Sequence, residues 1–124
     1  MIKKEYTESF LICIAEEESL YWLYKNEVEN QFISLLDLKK IIYYLINKGI
    51  MELNSYEEDE YAAESNFKEI LENSKNWIDK NQKYNTNLTK NGFDYFLNKK
   101  YCEEIDEGAF PDFKLIKPLE NRKP

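Results

Sequence analysis

The sequence predicts a mainly helical α+β domain, and three observations carry that reading. Ser34-Leu-Leu-Asp-Leu-Lys-Lys-Ile-Ile-Tyr-Tyr-Leu-Ile-Asn-Lys-Gly49 reads as one helix with both ends marked. Leu35, Leu38, Ile42, Leu45 and Ile46 recur at helical spacing, Ser34 with Asp37 gives a carboxylate variant of the capping box, and Gly49 supplies a left-handed stop. Two short stretches, Ile50 to Leu53 and Tyr84 to Leu88, read as extended chain; in the second, Tyr84, Thr86 and Leu88 alternate with polar residues. Only three glycines and three prolines occur in 124 residues, too few for a turn-rich β-sandwich. With 43% apolar and 15% aromatic residues, the chain is long and greasy enough for one packed core.

The remaining elements follow in order. Residues 1 to 6 are expected to be a mobile lead or an edge extension. Thr7 is placed to cap a helix through about Glu16, whose run Phe10-Leu-Ile-Cys-Ile-Ala15 is apolar on nearly every side and so expected to be buried. Glu16-Glu17-Glu18 ends it as a solvated turn, and Ser19 is placed to cap a second helix carrying Leu20, Leu23, Tyr24 and Val28, with Tyr21 and Trp22 flanking that face. The helix from Leu35 is the third. Asn54 to Glu64 reads as a loop or frayed turn, after which Ser65 is placed to cap a short helix with Phe67, Ile70 and Leu71 on one face. Trp77 and Ile78 are expected to be pinned to the core. Thr89 opens a further helix, with Leu88 and Phe93 as a hydrophobic staple and Phe93, Phe96 and Leu97 facing inward. Beyond Tyr101, Gly108, Pro111 and Pro118 break regular structure, and Phe110, Phe113, Leu115 and Ile116 suggest an extended arm that packs.

Charge narrows the function. Twenty-four acidic against seventeen basic residues leave seven negative charges, and there is no histidine. Imidazole zinc sites, histidine-based triads and histidine pH switches are therefore excluded. Residues 52 to 74 hold eight acids and the single base Lys68, so this segment alone accounts for the whole net charge. A field of this sign repels nucleic acid, whose binding depends on neutralising phosphates. Glu57 to Glu60 lack the Asp-x-Asp-x-Asp-Gly order of a calcium loop, and no metal, cofactor or catalytic constellation is expected. Cys13 and Cys102 are expected to be free thiols in a cytoplasmic protein, and the longest apolar run is too short to cross a bilayer.

The order of elements resembles the winged-helix family. In that family a helix ending in a Leu-x-x-x-Gly-Ile phrase, here Leu45-Ile-Asn-Lys-Gly-Ile50, precedes a β-hairpin wing. The second wing strand commonly closes on Leu-Thr-x-x-Gly before a C-terminal helix, here Leu88-Thr-Lys-Asn-Gly92. The resemblance covers residues 8 to 98. It implies a winged-helix-like three-helix core with a short β-hairpin, an enlarged wing region containing an extra helix, and a C-terminal helix plus extended arm. Residues 1–100 would form the domain, and 101–124 an acidic, extended arm packing on it. Two departures stand out: the wing is swollen by some thirty residues, and it is acidic where a DNA-binding wing is basic. In a DNA-binding member the helix Leu35 to Lys48 would enter the major groove, with Lys39, Lys40, Asn47 and Lys48 as contacts and Tyr43 and Tyr44 beside them.

In size, acidity and aromatic content the chain also resembles the bacterial immunity proteins of contact-dependent growth inhibition. That resemblance implies a non-enzymatic inhibitor that covers a basic toxin domain, a nuclease being the expected case, with carboxylates where phosphates would lie. The expected contact surface is Glu57, Glu58, Asp59, Glu60 and Glu64, with Tyr56 and Tyr61 as anchors. Glu103, Glu104, Asp106 and Glu107 form a reserve patch. Two alternatives share the same composition: a winged-helix transcriptional regulator, and a phage-encoded DNA mimic that blocks a host defence nuclease.

Overall fold

A computed structural model describes residues 2–55 and 64–122. The chain folds as α1 (Ile2–Ala15), α2 (Leu20–Leu23) running directly into a π-helical segment (Tyr24–Glu29), and α3 (Leu35–Asn47). Strand β1 (Met51–Ser55) follows, then α4 (Glu64–Glu72), α5 (Lys75–Ile78), β2 (Tyr84–Leu88), α6 (Lys90–Leu97), α7 (Lys100–Asp106) and a 3-10 turn at Leu119–Asn121. The architecture is α+β and mainly helical, as the sequence predicts.

Three helix starts sit where small polar residues place them. The Ser19 hydroxyl accepts from the Trp22 amide at 3.1 Å, Ser34 from Asp37 at 3.1 Å and Thr89 from Gly92 at 3.0 Å, each satisfying an amide the helix itself leaves unpaired. Gly49, at φ 72, ends α3 in the left-handed conformation that a residue with a Cβ resists. The turn after it leads straight into β1, so α3 sets the direction of the sheet.

β1 and β2 pair antiparallel from Met51 opposite Leu88 to Ser55 opposite Tyr84. The face carrying Met51, Leu53, Thr86 and Leu88 is buried, which is the side alternation requires. On the outer edge of β2, Ser19 forms a bridge with Asn85, and the Glu18 carbonyl accepts both the Thr86 amide at 2.8 Å and the Thr86 hydroxyl at 2.7 Å. The α1–α2 turn is thereby fastened to the sheet. The core beneath joins Tyr6, Phe10, Leu11 and Ile14 of α1, Leu38, Ile41, Ile42 and Leu45 of α3, Phe67 and Leu71 of α4, Trp77, Tyr95, Tyr101, Phe110 and Phe113. Residues 101–106, expected to begin the extended arm, are helical in α7; the chain is extended only after Gly108, where Phe110 and Phe113 are buried as expected whereas Ile116 is 55% exposed.

Four further expectations are corrected. Residues 2 to 6 are the first turn of α1 and not a mobile lead: Tyr6 is fully buried, and Lys3 and Lys4 pair with Asp112 and Asp106. Thr7 consequently lies inside the helix, buried, and caps nothing; its hydroxyl finds no partner. On α5 Trp77 is buried, its indole nitrogen donating to the Leu71 carbonyl at 2.8 Å, whereas Ile78 is 60% exposed because a four-residue helix has one inward face. On α6 Phe93 is 42% and Leu97 72% exposed, while Gly92 and Tyr95 face inward. The cause is Gly92: a Cβ there would stand 1.9 Å from the Ile50 carbonyl oxygen, so a glycine lets α6 press against the sheet on a side that carries no apolar signal.

Leu45→Ala is expected to cost about 2–5 kcal/mol in urea unfolding, whereas Leu97→Ala should stay within about 0.5 kcal/mol. Gly92→Ala, which forces α6 off the Ile50 carbonyl, is expected to lose at least about 2 kcal/mol in the same assay.

Candidate functional site

The expected contact residues Tyr56, Glu57, Glu58, Asp59, Glu60 and Tyr61 lie outside the described residues. Glu64 opens α4, and its side chain also lies outside them. Two other acids of the segment serve the fold. Glu52 is half-buried on β1, which raises its pKa through desolvation, and Glu72 at the end of α4 faces α3.

The face of α3 that the winged-helix resemblance points to is covered from two sides. On one, α4 packs across it: Tyr43 lies against Phe67, donates to the Lys68 carbonyl at 3.4 Å and to Glu72 at 3.3 Å, and Lys39 pairs with Glu72 at 3.6 Å. On the other, the C-terminal arm closes in. Tyr44 meets Phe110 edge-on at 5.3 Å, and the Lys114 and Ile116 amides donate to Asp37 and to the Phe32 carbonyl. Lys40 pairs with Asp37 at 3.2 Å and Lys48 with Glu104. Each lysine of the helix and its cap thus has a carboxylate beside it. Asn47 is left exposed.

The reserve patch divides. Glu104 turns inward and receives Lys48 and the Tyr95 hydroxyl, while Lys48 also donates to the Tyr44 hydroxyl at 3.3 Å. Burial alone would raise the Glu104 pKa, but the bonds from Lys48, Tyr95 and Tyr44 outweigh it and hold the carboxyl below its usual range. Tyr95, buried and donating to that carboxylate, is pushed far above an ordinary phenol. Asp106 pairs with Lys4 at 2.7 Å. Glu103 and Glu107 are exposed and, with Asp94 and Lys100, rim a cleft of about 420 Å³ over Glu104. This is an anionic surface, but its central carboxylate is already satisfied.

The most constrained group was not among the predicted residues. Glu27, in the π-helical segment, is fully buried. Arg122 forks onto it, one guanidinium nitrogen on Oε2 at 2.6 Å and another on Oε1, and Tyr6 donates to Oε1 at 2.8 Å. Arg122 Nε donates to Ser9 at 2.6 Å, and its guanidinium rests 4.9 Å from the Tyr6 ring and 5.2 Å from Phe32. Burial pushes the Tyr6 phenol well up, and the Glu27 charge pushes it further. Two signals could have found this site. Position 27 is four residues after Leu23 on the buried face, where a carboxylate demands a partner, and Arg122 is the one arginine beside sixteen lysines. Arginine is the cation suited to bidentate, stacked burial.

Chemically these sites hold structure. Glu27 is sealed from solvent, Glu104 is saturated with donors, and the Cys13 thiol is pushed up by burial and then by Glu27, which leaves it a poor nucleophile. Among the described residues no group of three or more metal-ligating side chains is arranged to hold an ion, and no helix is long and apolar enough to cross a membrane. The chain matches no family model, no curated protein and no solved structure.

Arg122→Ala leaves Glu27 buried without its cation and is expected to cost about 3–5 kcal/mol, read by thermal or urea unfolding. The depressed Glu104 pKa makes this carboxylate stabilising at pH values above the ordinary glutamate range, with the contribution lost as the pH falls through it. Lys48→Met should therefore shrink the stability difference between pH 6 and roughly pH 3 relative to the parent chain.

Proposed function

We propose that this chain is an immunity-type inhibitor that neutralises a basic toxin domain by binding it with an acidic, aromatic-rich surface. The observation that carries this reading is the state of α3. The helix that a DNA-binding winged helix would insert into the major groove has Lys39, Lys40 and Lys48 each beside a carboxylate, and α4 and the arm cover its flanks. A groove helix needs cations available to phosphates, and pairing them with Glu72, Asp37 and Glu104 weakens that attraction.

The winged-helix reading of the fold is supported by the order of elements: three helices, a two-stranded antiparallel pair and a C-terminal helix. On this reading the elements between β1 and β2 would be the enlarged wing. The concentration of net charge in residues 52 to 74 supports a cationic partner, because carboxylates speed encounter with a basic surface and reject nucleic acid. Tyr56 and Tyr61 would anchor that contact and Glu57 to Glu60 would steer it. No cofactor or catalytic step is required. A DNA-mimic inhibitor of a host nuclease would use the same surface.

The experiment is a capture from nuclease-treated lysate of the native host at low and then moderate salt, with bound chains identified by mass. A single basic domain in near-stoichiometric amount, whose nuclease activity this chain suppresses, is the expected result. Reversing Glu57, Glu58, Asp59 and Glu60 to lysine should slow its association at least roughly tenfold at low salt. An empty capture together with tight binding of duplex DNA at physiological salt would reject the inhibitor in favour of a regulator.

A further inference from the structure

Two of the large apolar side chains left in solvent stand on adjoining helices. Trp22 on α2 is 50% exposed and Ile78 on α5 is 60% exposed, and α5 packs against α2. The Trp22 ring is braced: Tyr21 meets it edge-on at 5.3 Å, and the Lys25 ammonium lies 5.3 Å from the Tyr21 ring. Exposed, braced tryptophan is the side chain that most often anchors a protein interface, since it offers a large area with little entropy left to lose.

What covers Trp22 is indicated by the charge that precedes α2 in the chain. The turn Glu16-Glu17-Glu18 immediately precedes α2, and none of its carboxylates has a cationic partner among the described residues. The nearest lysine in the sequence, Lys25, is committed to Glu29 at 2.7 Å. Ile78 is flanked by Lys75, Asp79 and Lys80, so the unbalanced negative charge sits at the Trp22 end. The turn is also rigid. Glu17 donates to the Ile14 carbonyl at 3.0 Å, and the Glu18 carbonyl is held by Thr86. Burial raises the Glu18 pKa, and crowding by Glu16 and Glu27 raises it further. Glu17 itself stands at φ 61, the helix-ending position where glycine is favoured.

We propose that Trp22, Ile78 and the Glu16–Glu18 turn form the docking surface for an arginine-bearing segment of a basic protein partner. The guanidinium stacks on the Trp22 indole with its N–H groups directed at the Glu16 and Glu17 carboxylates, and an adjacent aliphatic residue covers Ile78. The assignment rests on the inhibitor reading and gives it contact residues other than those chosen on charge alone.

Trp77 is fully buried, so the emission that acrylamide quenches reports Trp22. The probe is a synthetic oligoarginine peptide titrated into the full chain at low salt, with an oligoglutamate peptide as control. A saturable one-to-one change in Trp22 emission with protection from acrylamide is expected for oligoarginine alone. Calorimetric affinity should fall at least roughly tenfold in Glu16→Gln/Glu17→Gln and in Trp22→Ala. Glu17→Gly relieves the left-handed strain, so it should weaken binding while leaving the melting temperature equal or higher; loss of binding is thus separated from loss of fold. Wild-type affinity in the Glu16/Glu17 and Trp22 variants, or a Trp22 that stays quenchable throughout, overturns the surface. A captured basic domain that still binds these variants undiminished also overturns it and leaves the inhibitor reading standing. Oligoarginine binding at Trp22 in a chain that captures no basic domain keeps the surface and rejects that reading.

Discussion

The structure depends on one buried ion pair. Glu27 is fully enclosed and would be severely penalised as a lone charge, yet Arg122, Tyr6 and Ser9 complete a closed set of donors and acceptors around the guanidinium and carboxylate. The pair ties together three parts of the chain: α1 through Tyr6 and Ser9, the π-helical segment through Glu27, and the arm through Arg122. Because the arm ends on this anchor, the course of residues 109 to 121 is fixed, and Phe110 and Phe113 are carried onto the core beside Tyr6 and Tyr44.

The same constraint shapes the surface. An arm anchored at Glu27 must pass along α3, and there it bonds Asp37 and the Phe32 carbonyl. With α4 on the opposite flank, the helix that organises the chain becomes an interior support. Charges that would otherwise face solvent are neutralised locally at Lys39, Lys40 and Lys48, and the anionic character of the molecule is left to segments away from α3.

Much of the fold was legible because its signals are local. Ser19, Ser34, Thr89 and Gly49 act within one helical turn, and the periodicity of α3 and the alternation of β2 report directly on the face each buries. What escaped reading was tertiary. Gly92 faces inward because of a carbonyl forty-two positions away, a contact that leaves no hydrophobic trace, so the apolar stripe of α6 was assigned to Phe93 and Leu97. The helical start of α1 follows from the burial of Tyr6 against Phe113 of the arm, with Lys3 and Lys4 paired at the surface to Asp112 and Asp106. The Glu27 site went unseen for the opposite reason: a lone charge on an apolar face looks like noise unless the single arginine is recognised as its counterpart. The predicted contact residues were chosen on charge density alone, which identifies a field without locating a surface.

The ion pair also has a consequence in time. Glu27 and Arg122 are ninety-five residues apart in the chain. At a synthesis rate of about 5–20 residues per second, Glu27 is added to the chain roughly 5 to 20 seconds before its partner exists. Throughout that interval α1, the π-helical segment and α3 cannot close their core without trapping an unpaired carboxylate. The domain therefore completes its fold only after translation has passed Arg122, and until then it is a natural client for whatever shields nascent apolar surface in the cell.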